Sequence, residues 1–197
     1  AFGWDQHTDP GPLTSVTIGS SQEASQLEFI GVRAFLNQSI TSITLPNAMK
    51  EMNDWSPYQG CTKLETIVWP TSPTDTFTAV DGLDNLPSLR DEMVNDLPPY
   101  ITTIAREAYR KTPLEHITIP STVETIEKYA FFDSWIEDLT ISNGVRTIEE
   151  QAFYNNKIKS IHIPASVTSI GNNAFDTQYG EATISSFTIE EEGEPLS

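Results

Sequence analysis

One phrase is written along this chain again and again, at a spacing of 22 residues. Val123, Ile126, Ala130, Phe131, Ile136, Leu139 and Ile141 return as Val145, Ile148, Ala152, Phe153, Ile158, Ile161 and Ile163. One period earlier the same places hold Ile101, Ile104, Ala108, Tyr109, Leu114, Ile117 and Ile119. Every position stays apolar or aromatic, and no gap is needed. Leu27, Ile30, Ala34, Phe35, Ile40, Ile43 and Leu45 keep the spacing further upstream. Two more copies need small insertions. One runs Met49, Met52, Tyr58, Leu64, Ile67, Trp69; the other runs Val167, Ile170, Ala174, Phe175 and then, after four extra residues, Ile184, Phe187, Ile189. Leu13, Val16 and Ile18 give the second half of a copy alone. A period of this length belongs to stacked repeats, in which one unit cannot bury its own apolar side and a column of units can.

The two halves of the phrase read differently. In "L-x-x-I-x-I" the last two apolar residues are two apart, so both point to one side of an extended strand and their neighbours to the other. Pro46, Pro70, Pro120 and Pro164 close this half, each lacking the N–H that would carry a pairing onward. The spacing predicts strands at 13–18, 40–45, 64–69, 114–119, 136–141, 158–163 and 184–189. The Ala–Phe pair sets a bulky ring beside a small residue that lets the chain bend, and the first half of the phrase returns the chain across the back. Residues 71–98 break the rhythm. Phe77 and Val80 keep the first half, but Leu86, Leu89 and Met93 fall on one helical face, with Asn85 as its cap and Pro98-Pro99 as its stop. The expected fold class is a repeat solenoid, mainly β with irregular and short helical segments. Its expected parts are an N-terminal cap with a first strand at 1–24, a solenoid over 25–190 with an irregular helical insertion near 71–98, and an acidic tail at 191–197.

"ASVTSIGNNAF" at 165–175 and "YQGCTKLETIVWP" at 58–70 resemble the leucine-rich repeats of the BspA (Treponema pallidum) type. The resemblance covers about residues 13–190 and departs from the family phrase at 71–98. It implies a right-handed, curved leucine-rich-repeat coil of about 22 residues per repeat, and a role in adhesion or protein binding at a cell surface or outside the cell. No basic-then-apolar signal segment opens the chain. The phrase lacks the Asn of the general leucine-rich signature, so an Asn ladder is not expected. Cys61, the one cysteine, falls at a bend and reads as a small buried thiol.

Strand alternation sets three columns facing away from the core. They are Thr17, Thr44, Val68, Thr118, Thr140, His162, Thr188; Ser15, Ser42, Thr66, His116, Asp138, Ser160, Ser186; and Thr14, Thr41, Glu65, Glu115, Glu137, Lys159, Ser185. This is a field of hydroxyls with an acidic middle. Thr is a good strand former and solvates an exposed sheet, so one reading is surface chemistry alone. The functional reading is a shallow face for a protein or glycan ligand, made by Glu115, His116, Thr118, Glu137, Asp138, Thr140, Ser160 and His162. A third reading, a hydroxyl match to an ice lattice, is opposed by Val68, His162 and the charges between them. Trp135, next to inward Ile136, is a candidate aromatic anchor, since Trp is enriched in interface hot spots. Trp69 is expected in the core.

Twenty-eight acidic residues against 11 basic ones give a net charge of −17, which argues against nucleic acid and anionic membrane surfaces as partners. There is no apolar run long enough for direct membrane insertion. His116 and His162 stand two rungs apart in different columns, ~10 Å between backbones, so no metal site is expected there. No nucleophile elbow, phosphate loop or dinucleotide fingerprint appears, and no cofactor and no catalysis are expected. Two functions follow as candidates: a recognition module using the strand face, and a structural scaffold subunit of a larger assembly.

Overall fold

The first half of each phrase, expected only to return the chain, makes strands of its own. The computed structural model describes residues 13–17, 25–52, 56–177 and 184–190. In chain order its elements are β1 (Val16–Thr17), β2 (Phe29–Ile30), β3 (Ser42–Thr44), β4 (Glu51–Met52), β5 (Thr66–Val68), β6 (Ala79–Val80) and α1 (Glu92–Asn95). They continue with β7 (Thr103–Ile104), β8 (His116–Ile119), β9 (Thr125–Ile126), β10 (Asp138–Ile141), β11 (Thr147–Ile148), β12 (Ser160–Ile163), β13 (Ser169–Ile170) and β14 (Ser186–Ile189). The protein is a β-solenoid of about 22-residue coils, and each coil has three sides.

The first side holds the strands expected from the I-x-I alternation. They pair in parallel as β1–β3–β5, β8–β10 and β12–β14, with residues one coil apart in exact register: Ser42 beside Thr66, His116 beside Asp138, Ser160 beside Ser186. Strands β10 and β12 lie side by side without forming a ladder. Pro164 contributes to this, because Ser142, one coil earlier, donates its N–H to the Ile119 carbonyl and Pro164 has none to give. The second side is a row of two-residue strands, β2–β4 and then β6–β7–β9–β11–β13. Its Ile and Val residues point inward: Val80, Ile104, Ile126 and Ile148 are fully buried.

The third side is the Ala–Phe turn. Left-handed residues flank it in coil after coil, as at Tyr129 (φ 64°) and Asp133 (φ 59°) or Gln151 (φ 56°) and Asn155 (φ 58°). Alternate N–H groups then point along the solenoid and bond the next coil: Tyr109 to the Ala130 carbonyl, Phe131 to that of Ala152, Phe153 to that of Ala174. The rings stack as a column, Tyr109–Phe131–Phe153–Phe175, with centroids 5.2, 5.0 and 5.3 Å apart and planes within 6° of parallel. Phe35 and Tyr58 make a second stack at 5.9 Å.

Three residues after Phe35, Tyr58, Tyr109, Phe131 and Phe153 lies a buried polar position, and in the last four of these it carries a ladder. The Cys61 thiol donates to the Phe35 carbonyl, the Ser134 hydroxyl to the Tyr109 carbonyl and the Asn156 amide to the Phe131 carbonyl, each one coil back; Thr112 donates to the Leu83 carbonyl. Asn156 also accepts from the Ile136 N–H at 2.9 Å. This row is a mixed polar ladder of Cys, Thr, Ser and Asn rather than a ladder of Asn alone. Burial pushes the Cys61 thiol up to about 11, as expected of an inert core cysteine.

Residues 77–98 form a coil with one side replaced. Its second-side strand β6 is in place, and its turn bonds the next coil through the N–H groups of Leu83 and Asn85. Where a first-side strand would lie between β5 and β8 stands the single turn α1. The expected helix is thus confined to Glu92–Asn95, and Asn85 is a left-handed turn residue (φ 55°) rather than a cap. Leu86, Leu89 and Met93 are buried as expected. Trp69 is half-buried against the core rather than fully enclosed. In the last described coil the inward positions emerge: Ile170, Phe187 and Ile189 are 41%, 50% and 63% exposed. The expected cap apart from 13–17, and the tail at 191–197, lie outside the described residues.

Candidate functional site

The alternation places the candidate residues of the first side outward. His116, Thr118, Asp138, Thr140, Ser160 and His162 are exposed, while Ile117, Ile119, Ile141, Ile161 and Ile163 between them are buried. Register then decides which outward groups meet. His116 Nδ1 lies 2.9 Å from Asp138 Oδ2, and its Nε2 is 4.0 Å from a Glu115 oxygen. Lys159 Nζ is 3.3 Å from Glu137 Oε2. Glu137 and Asp138, adjacent in sequence, thus serve different partners. Arg90 and Glu65 extend the ion pairs across the α1 coil.

His162 belongs to a separate group. Its Nδ1 contacts Thr188 Oγ1 at 2.8 Å and its Nε2 lies 2.9 Å from Glu190 Oε1. The hydrogen bond from His162, helped by the Ala165 N–H, holds the Glu190 carboxyl below its ordinary range. The face is therefore two clusters, one around His116 and one around His162, with Thr118–Thr140 and Ser160 as neutral ground. Among the described residues no group of three or more His, Cys, Asp or Glu side chains could hold a metal ion.

The helical turn α1 touches the first cluster through main chain. Asp91 accepts the N–H groups of Glu115 and His116, each at 3.0 Å; Asn95 accepts from the Thr118 N–H at 2.7 Å and donates to the His116 carbonyl at 3.0 Å. Two side chains thereby take the place of a missing strand edge. Trp135 sits at the corner between turn and first side, 55% exposed at φ 62°, with the Lys157 ammonium 5.1 Å from its ring centre.

One groove escaped the sequence. On the turn side two rows run across three coils: Glu107, Tyr129, Gln151 and, facing them, Arg110, Phe132, Tyr154. They line an open, shallow cleft of ≈ 470 Å³. Phe132 stacks on Tyr154 at 5.1 Å, meets Tyr129 edge-on at 5.7 Å, and carries the Arg110 guanidinium 5.6 Å above its ring. None of these positions belongs to an apolar column of the repeat, so periodicity gave no signal for them.

The sequence matches the BspA type leucine rich repeat region over residues 12–80 and 97–193, in six copies. The chain belongs to the BspA type leucine-rich repeat family. The unmatched stretch is the one where α1 replaces a strand. Among solved structures the chain is similar to a leucine rich cell surface protein from Faecalibacterium prausnitzii A2-165, with 25% identity and a TM-score of 0.54 over 94% of this chain and 50% of that one. It shares the fold of a leucine-rich repeat protein from Bacteroides ovatus ATCC 8483, with 22% identity and a TM-score of 0.58 over 90% of this chain and 45% of that one. The chain spans about half the length of either structure. Comparison with curated proteins gives no match. Among the described residues no helix is long and apolar enough to cross a membrane.

Proposed function

We propose that this BspA type chain is a non-catalytic recognition module that works at a cell surface or outside the cell. It binds a protein or glycan through the face running from Glu115 to His162. The observation that carries this reading is the division of labour along β8 and β10. Inward residues fill the core, while His116–Asp138 and Thr118–Thr140 stand in exposed, in-register pairs that the core does not require. The cell-surface character of the Faecalibacterium structure supports the location. Rigid spacing of side chains one strand apart, ~4.8 Å, gives such a face a fixed pattern of donors and acceptors without an ordering cost on binding.

The test is capture from native lysate and culture medium with the chain as bait, beside a variant carrying Thr118→Lys, Thr140→Lys and His162→Lys. A partner held by the original and lost by the variant supports the strand face. A partner retained by both moves the contacts elsewhere and leaves the scaffold function standing.

A further inference from the structure

We propose that the turn-side groove is a second, independent binding site, and that its ligand is a neutral sugar unit of a glycan. Three observations carry this. First, the repeat does not demand these residues. At the place of Tyr129 other coils have Arg33, Ser56 and Asn173, and at the place of Phe132 and Tyr154 they have Leu36, Gln59 and Asp176. Among the described residues of these turn rows, Tyr129, Phe132 and Tyr154 bring three aromatic rings together, and all three are half-exposed beside the cleft.

Second, the cleft combines apolar and polar surface in the way a sugar does. Its volume of ≈ 470 Å³ lies within the roughly 300–1,000 Å³ of small-ligand sites. The rings of Phe132, Tyr154 and Tyr129 offer flat apolar surface for C–H groups. The Gln151 amide and the Tyr154 hydroxyl make no hydrogen bond to any described residue, and each can both donate and accept, as vicinal hydroxyls require. A purely apolar ligand would strand these groups.

Third, the charges at the cleft are already matched. Arg106 and Arg110 lie 3.5 and 3.7 Å from the Glu107 carboxylate, and Lys128 is 3.0 Å from Glu150. The two charged residues that line the cleft, Glu107 and Arg110, balance one another, so the lining itself offers no excess positive charge to an acidic sugar, and the net charge of −17 repels anionic polymers. A neutral ligand meets neither penalty.

The test is saturation-transfer NMR with titration, using cellotriose, maltotriose, mannotriose, N,N′-diacetylchitobiose and trigalacturonate as probes. Two variants keep the fold. Tyr154→Phe preserves the ring stack and removes one hydroxyl; Gln151→Asn keeps an amide and tolerates the left-handed backbone. At least one neutral probe is expected to bind saturably, with each variant weakening it by about three- to tenfold and the triple-Lys strand-face variant leaving it unchanged. Failure of every neutral probe to bind, tighter binding of trigalacturonate, or equal affinity in the two groove variants would overturn the proposal. Because the triple-Lys variant alters only the strand face, failure there and failure here are read separately.

Discussion

The coils over 101–163 and the coil over 77–98 solve the same packing problem with different parts. In the regular coils backbone meets backbone on the first side, from β8 to β10, and a ring sits on a ring at the turn. In the irregular coil Leu83 stands where the ring would be, and Asp91, Asn95 and Met93 reach out from one helical turn to meet the strands on either side. The Ile67 N–H even donates to the Met93 sulfur at 3.1 Å. Tyr109, the next ring along, uses its extra hydroxyl to donate to the Met93 carbonyl at 2.7 Å, which is why a Tyr rather than a Phe begins the column. The difference teaches that a solenoid tolerates the loss of a whole strand if the second side and the turn stay in register and the orphaned N–H groups find side-chain acceptors.

That comparison has a steep end and a shallow end. Phe153→Ala, at the middle of the ring stack, should destabilise by about 3–5 kcal/mol in urea unfolding, and Leu83→Ala in the irregular coil by about 2–4. A near-zero loss for Phe153 would mean the column does not hold the coils together. Asp91→Ala combined with Asn95→Ala should cost about 1–3 kcal/mol. Its signature is local: hydrogen exchange should quicken at Glu115, His116 and Thr118 and stay slow at Ile126 and Ile148. Uniform quickening would show that α1 supports the whole array rather than one edge.

Cys61→Ser should cost under about 1 kcal/mol, because a hydroxyl at this rung already serves Ser134. The pH dependence sharpens the point. With the native thiol raised to about 11 and an unfolded value near 8.5, the folded protein keeps a proton that the unfolded chain releases. This contribution is complete below about pH 8.5 and is lost as pH rises toward 11; the serine variant should lack it. Glu190 runs the other way. Its lowered carboxyl makes a contribution that is present above the ordinary carboxylate range and lost as pH falls through it, visible as earlier exchange in β14. The smallest effect belongs to Trp135→Ala, about 0.5–1 kcal/mol from the exposed Lys157–ring contact.

The first side was legible because Ile and Leu repeat there with strand alternation, and the ring column because Ala–Phe recurs at fixed offset. The second side was not, since strands of two residues, such as Thr103–Ile104, are too short to show any alternation. The buried polar ladder hid because Cys61, Thr112, Ser134 and Asn156 share a role and no letter. The helix was overdrawn from Leu86, Leu89 and Met93, whose common burial comes from turn and helix together rather than from one long helix. On the strand face the sequence placed each side chain outward but gave no hint that His116 would pair with Asp138 and His162 with Glu190, because those pairings depend on register across coils. The groove of Tyr129, Phe132 and Tyr154 was invisible for the opposite reason: it is what the repeat leaves free.

Every strand pairing in the described residues joins one coil to the next, as Asp138 to His116 or Thr147 to Thr125. A pull on the two ends would therefore load the coils in series, with no long-range staple to share the force. The coil ending in β14, whose Phe187 and Ile189 are half or more exposed, is held by little buried apolar surface and should peel early. The irregular coil should register as a step of its own, so that a single-molecule extension trace would read the repeat as a staircase with one uneven tread.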